Sequence, residues 1–341
     1  MQAHAASRDA PIEDVVLPDL PIVDPHVHMW NLRGYDYFAS DLLADVQSGH
    51  KVEATVYVEC GMGKSKNPRE SFRPEAETEF VLEQIKLAEG SGHDLAAGIV
   101  GGGDLRTGEA IRPVLEAHIA AGKGRFRGIR GFVAWHPHAA LTYPAVPRYA
   151  QGNVMAGEAF LAGARCLAEL GLTLDLWAFH TQLDDVAAFA AQVPKLPILI
   201  NHCGGPLGIG PYEGHREEVF ADWSRGIRQV AALPNAFIKL SGLGMGRMGF
   251  HFEGGGPART SDELVAAWKP YVRTCLDAFG VERSIFASNF PVERESATYR
   301  TLLNAYKKMF HDLSADERRA VFAGNARSFY KLHAPATARS S

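Results

Sequence analysis

The chain has 341 residues, 46% apolar and 22% charged, enough for one large core and unlike the composition of a disordered chain. Its formal net charge of −4 excludes the basic surface that draws nucleic acid or anionic lipid, so any anion must be recognised locally. Four scattered cysteines, Cys60, Cys166, Cys203 and Cys275, form no C-x-x-C pair, the start lacks a basic-then-apolar leader, and no apolar run approaches about eighteen residues; the expectation is reduced thiols, a cytoplasmic setting and no membrane partner.

Eight short runs rich in β-branched and apolar residues follow one another: PIVDPHVH (21–28), KVEATVYVEC (51–60), DLAAGIVGG (94–102), FRGIRGFV (126–133), LTLDLW (172–177), PILINH (197–202), NAFIKLSG (235–242) and RSIFASN (283–289). Between most of them lie segments with apolar residues at three and four spacing, Glu75 to Glu89, Glu109 to Ala121, Gly157 to Leu170, Asp184 to Gln192 and Asp262 to Phe279. Strands alternating with helices imply a parallel sheet, and eight such units fit a closed (β/α)8 TIM barrel, an α/β fold, better than an open sheet. No Pro/Ser-rich linker divides the chain, so the reading is a tail over 1–20, a single barrel domain over 21–333 and a tail over 334–341. A last helical stretch within Ser314 to Leu332 is expected to pack outside the barrel.

The segments after the second, fourth and seventh strands are long, at 61–75, 136–152 and 242–260. In a barrel the loops after strands build the active-site face. The last of them holds a G-x-G-x-x-G run, Gly244 to Gly249, but no helix follows to hold a pyrophosphate, so it reads as a loop.

Asp24, His26 and His28 end the first strand, and a period of two puts all three on one face. Paired imidazoles on a rigid strand suit one divalent ion, zinc or manganese, with Asp24 placed to orient a ring; two satisfied histidines at a strand end are the plain alternative. His180 follows the fifth strand and His202 ends the sixth, where barrel chemistry takes place. His180 reads equally as a ligand or as a helix-start residue before Thr181.

DPHVHMW, RFRGIRG, NHCGGP, FASNFPV and GNARSFYKL, in that order between residues 21 and 333, resemble the amidohydrolase-2 group of barrel hydrolases, which includes sugar-lactone hydrolases, pyrone-dicarboxylate lactonase and related decarboxylases. The resemblance implies His26 and His28 as metal or substrate ligands, His202 as the group that polarises a carbonyl or moves a proton, and Arg130 as an anion contact. Two positions depart from that pattern. The family usually carries S-D-W-P at the eighth strand, its aspartate a metal ligand and base, where this chain has Asn289; and Asn201 stands where D-H is common. An amide accepts no proton from water at neutral pH, so Asn289 is left to ligate a metal or hold water through its carbonyl oxygen. A metal set of His26, His28, His180, His202 and Asn289 is therefore less anionic than the family's, and metal-independent chemistry stays open.

Glu59 near the end of the second strand is the candidate replacement base, against a glutamate facing the helix layer or a structural ion pair. Arg69 and Arg73 on the long loop after the second strand, Arg130 on the fourth strand and Arg247 on the seventh loop suit a small anionic substrate such as a carboxylate. Trp30, Trp135 and Trp177 follow or end strands and could wall a flat ring, or simply pack. The leading expectation is hydrolysis of a lactone of a small carboxylated substrate by activated water. Metal-dependent decarboxylation of an aromatic or unsaturated acid and a silent small-acid-binding barrel are the alternatives; a homo-oligomer is left open.

Overall fold

The structure, a computed structural model, describes residues 12–31, 34–63, 73–143, 150–252 and 259–333. Strands β1 (Ile22–Val27), β2 (Val52–Val58), β3 (Asp94–Gly102), β4 (Phe126–Phe132), β5 (Thr173–Trp177), β6 (Ile198–Ile200), β7 (Ala236–Leu240) and β8 (Ser284–Phe286) form one parallel sheet in chain order. A parallel bridge between Val27 and Phe290, with the His28 amide donating to the Phe290 carbonyl oxygen at 2.8 Å, all but closes the barrel. All eight expected strands are present because each is a short apolar run, as a sheet covered on both faces requires.

The outer layer is α1 (Ala39–Val46), α2 (Ala76–Ile85), α3 (Arg112–Ala121), α4 (Glu158–Glu169), α5 (Leu183–Gln192), α6 (Arg216–Ala231), α7 (Ser261–Phe279) and α8 (Tyr299–Met309). Helix α7 shows the logic. Thr260 and Glu263 form a reciprocal capping box at its start, and Leu264, Trp268, Tyr271, Cys275 and Phe279 bury the stripe facing the strands. Among the described residues no helix is long and apolar enough to cross a membrane.

Two expectations about the ends change. After α8 come α9 (Ala315–Arg319), a π turn at Ala320–Gly324 and α10 (Asn325–Phe329). This segment does not pack outside the barrel: Ala323, Ala326, Phe329, Tyr330 and Leu332 cluster with the inward-facing Val23, Ala54, Val56, Val100, Leu199 and Ile285. The interior of an eight-stranded barrel must be filled, and small residues such as Ala54 leave room for a plug from below. At the other end, Glu13 accepts from the Ser261 amide at 2.6 Å and from Asn304 Nδ2 at 3.1 Å, and the Val16 amide donates to Asn304 Oδ1 at 2.8 Å, so part of the expected N-terminal tail is tied to α7 and α8. Residues 334–341 lie outside the described residues.

Candidate active site

His26, His28 and His202 come together at the C-terminal end of the barrel. The His26 ring centroid lies 4.9 Å from that of His28 and 4.6 Å from that of His202, and all three side chains are buried. Asp24 does not share their face. Pro25 has no amide to give the sheet, and the β1–β2 register shifts between Asp24 and Val27. Val23 thus joins the interior cluster, while the Asp24 carboxylate accepts from the Ser288 amide and from Tyr299 Oη on α8, each at 2.9 Å. Asp24 pins β1 to the segment after β8 and orients no ring.

His202 reaches the site because the chain leaves β6 abruptly, with His202 at φ +56° and Cys203 at φ +51°. Positive φ in residues with a Cβ is uncommon and clusters where function demands it. Gly242, at φ +77°, makes the room: a Cβ there would lie 2.3 Å from the His202 Cβ.

Each ring has a different partner. His28 Nδ1 lies 2.7 Å from the Val58 carbonyl oxygen, which can only accept, so Nδ1 carries the proton and Nε2 the lone pair. His202 Nδ1 meets Ser241 Oγ at 3.0 Å. His26 Nδ1 lies 3.1 Å from Lys239 Nζ, and its Nε2 is buried with no hydrogen-bond partner among the described residues. Burial first, then the charge of Lys239, holds the His26 and His202 imidazoles well below their ordinary range, so both are neutral at neutral pH.

Lys239 and Asp175 are functional candidates that sequence reasoning missed. Both are fully buried, they form an ion pair, and Tyr330 Oη donates to the Asp175 carboxylate at 2.8 and 2.9 Å. A signal was there: each is the one charged residue inside an otherwise apolar strand, in LTLDLW and NAFIKL. Asn201 is a third. Its side chain is fully buried and neither its amide nitrogen nor its oxygen has a partner among the described residues.

The other predicted residues divide. Glu59 is inside the barrel mouth but is held by Arg130, whose Nε donates to Glu59 Oε1 at 2.8 Å and whose Nη2 donates to the Glu59 carbonyl oxygen at 2.6 Å. A carboxylate in that grip is a counter-ion and a poor base. Asn289 is buried at φ +58°, a conformation asparagine tolerates, and its Nδ2 donates to Glu293 Oε1 at 3.2 Å. His180 makes its contacts elsewhere: its ring meets Tyr212 edge-on at 5.0 Å and its Nδ1 accepts from the Leu207 amide at 3.2 Å. Trp30 stacks on His28 at 5.7 Å and Trp177 sets its edge against His202 at 4.8 Å, so these two wall the trio. Trp135 is half-buried on the loop after β4, its amide bound to Gln182. Arg73 is an exposed residue paired with Glu75 and Glu79, and Arg247 donates to the Leu141 carbonyl oxygen at 2.9 Å over the Tyr143 ring. Arg69 lies outside the described residues.

This donor set does not fit a resident divalent ion. A metal-bound histidine normally gives its second nitrogen to a carboxylate or carbonyl, and His26 instead faces the Lys239 ammonium. Among the described residues no three His, Cys, Asp or Glu side chains are arranged to hold a metal. His180 is turned to Tyr212 and Asn289 to Glu293, and neither brings negative charge.

Comparison with known proteins agrees with the barrel fold. The model of the family described as Amidohydrolase matches residues 23–332. An uncharacterized protein of Sinorhizobium fredii is 30% identical over 93% of this chain and 100% of its own length. L-fucono-1,5-lactonase of Burkholderia multivorans is 28% identical over 93% of this chain and 98% of its own. Among solved structures, an amidohydrolase from Burkholderia multivorans, seen once with bound HEPES and once with bound zinc, is 25% identical with a TM-score of 0.70, over 92% of this chain and 99% of that one.

Proposed function

This chain belongs to the amidohydrolase family and is a hydrolase, and from that premise we propose that it opens a neutral, polyhydroxylated lactone, the internal ester of a sugar acid, with water as nucleophile and no resident metal. The observation that carries the reading is the buried trio of His26, His28 and His202, with His28 fixed as a base by its Nδ1 contact with the Val58 carbonyl oxygen.

The lactone carbonyl sits among the three rings, where hydrogen-bond donors act in a dry, low-dielectric space. His28 Nε2 takes a proton from water as the water oxygen bonds to the carbonyl carbon. The tetrahedral intermediate collapses by breaking the bond between that carbon and the ring oxygen. The departing alkoxide takes the proton back from His28, and one lactone and one water become one hydroxy acid. Trp30 and Trp177 flank the rings and exclude solvent.

The substrate class follows from charge. Arg130, the expected anion contact, is already neutralised by Glu59, and the described loop arginines of the predicted set, Arg73 and Arg247, bind protein groups. Among these described residues a carboxylated substrate would meet no cation that is not already held by a protein group. Hydroxyl groups suit the site better: the unpartnered Asn201 amide offers a donor and an acceptor, which is what a hydroxyl needs. The lactonase names of relatives that cover nearly the whole chain support the same class.

The test is a panel of 1,4- and 1,5-aldonolactones and their carboxylated analogues, followed by acid release and by carbon dioxide evolution. One acid per lactone and no carbon dioxide is expected. Carbon dioxide release, or no turnover of any lactone, overturns the proposal.

A further inference from the structure

Lys239 and Asp175 lie inside the barrel, fully buried, with no surface to stabilise and a histidine of the trio in contact. We infer that Lys239, held by Asp175 and through it by Tyr330, is a positioning residue that fixes His26 with its ring proton on Nε2, as the donor to the oxyanion. The fate of that proton rests on the lactonase reading; the tautomer does not.

The argument follows the protons. A carboxylate only accepts, and Asp175 receives Tyr330 Oη at 2.8 and 2.9 Å together with the Lys239 ammonium. An ammonium only donates, so the contact of 3.1 Å between Lys239 Nζ and His26 Nδ1 requires a lone pair on Nδ1. In a neutral imidazole the proton is then on Nε2. That nitrogen is buried and without a partner among the described residues, although leaving a buried donor unpaired is costly. The cost is removed when a substrate oxygen arrives, and most fully when that oxygen becomes an anion.

The neighbouring ring is set the opposite way. His28 gives its Nδ1 proton to the Val58 carbonyl oxygen and keeps its lone pair on Nε2. Two imidazoles 4.9 Å apart therefore present one donor and one acceptor, each fixed from behind by a group that has a single hydrogen-bonding sense. Lys239 is the backing for the donor. Tyr330 immediately follows α10 in the C-terminal plug, so the plug reaches through the barrel to the chemistry as well as filling its interior.

The tautomer is read directly by nitrogen-15 spectroscopy of protein labelled in histidine. The wild type should show a protonated, pyrrole-type Nε2 and a lone-pair Nδ1 at His26. The paired substitution Lys239→Met with Asp175→Asn removes both charges together and leaves neither buried alone. It should move the His26 proton wholly or partly to Nδ1, and kcat on the best lactone should fall roughly 10²-fold, the scale of one lost oxyanion donor, with KM changed less than about threefold. Tyr330→Phe keeps the packing and removes one donor to Asp175; it should shift the His26 Nδ1 resonance and lower kcat by a smaller factor, which carries the test if the paired variant does not fold. A proton on Nδ1 in the wild type overturns the inference, and so does a His26 spectrum unchanged in these variants. The spectrum decides this even if no lactone is turned over, so failure of the inference and failure of the lactonase reading are separable.

Discussion

The Arg130 guanidinium and the Glu59 carboxylate, 71 residues apart in the chain, meet inside the barrel mouth at 2.8 Å, with only 8% and 9% of their side chains exposed. Each is the other's counter-ion, and the pair contributes polarity to the site without net charge. Removing one member of such a pair strands the other charge. Glu59→Gln should therefore lower stability by about 3–5 kcal/mol in urea denaturation. It should also improve kcat/KM for carboxylated over neutral lactones roughly tenfold, the scale of one newly available charged hydrogen bond. An unchanged preference would mean that Arg130 does not face the substrate.

Acid should inactivate the protein in two ways with the same sign. Burial first, then Lys239, depresses the His26 and His202 imidazoles below 6.5, so both stay neutral at pH 6.5 and activity falls as the pH drops through their lowered values. Stability moves alongside. Burial likewise holds His50 and His180 down to about 4, while in the unfolded chain they titrate near 6.5. Between those values the unfolded state binds more protons, so stability rises with pH across the window: it is complete above about 6.5 and is lost towards about 4. Each of the two contributes of order 3 kcal/mol over that interval. Thermal midpoints at pH 7.5, 6 and 5 check this, and a flat profile would show that these rings are not held neutral.

The barrel and the trio were legible in the sequence because both are written locally. Eight apolar runs give the strands, and His26, His28 and His202 stand at strand ends. What was hidden depends on geometry that periodicity does not carry. Strict alternation put Asp24 beside His26, but Pro25 breaks the ladder and Asp24 turns to Tyr299. Asp175 and Lys239 sit within strands, not at their ends, and only the folded barrel with its C-terminal plug brings β5, β7 and Tyr330 together. Arg130 read as an anion site because its partner, Glu59, lies two strands away in the sheet. Amphipathic spacing showed that residues 314–332 are helical but not which surface they cover, and that surface is the barrel interior.

Protein prepared without added metal, then dialysed against a chelator, should keep its lactone turnover, and elemental analysis should find well under one zinc or manganese per chain. The reason is the Lys239 ammonium behind His26, where a ligand histidine would have an acceptor. Asn289→Asp is the companion variant. It puts a negative oxygen at the end of the eighth strand, and divalent ions should then bind measurably tighter. Stoichiometric metal in the unaltered protein, with activity lost on chelation, would refute the metal-free reading.

Gly242 supplies the last prediction, because it isolates the position of His202 from the rest of the fold. At φ +77° an alanine is strained wherever it occurs, and here its Cβ would also fall 2.3 Å from the His202 Cβ, so the histidine must move. Gly280 has a similar φ, +73°, at the end of α7, but nothing within 4 Å of a Cβ. Gly280→Ala should therefore carry only the backbone cost, about 1–3 kcal/mol, and leave kcat as it was. Gly242→Ala should cost about 2–4 kcal/mol and lower kcat more than tenfold, since a displacement near 1 Å at a reacting group is enough for that. Thermal melts and steady-state kinetics on the two variants check it. If Gly242→Ala is destabilised yet turns over lactone like the wild type, His202 is not one of the groups that touch the reacting carbonyl.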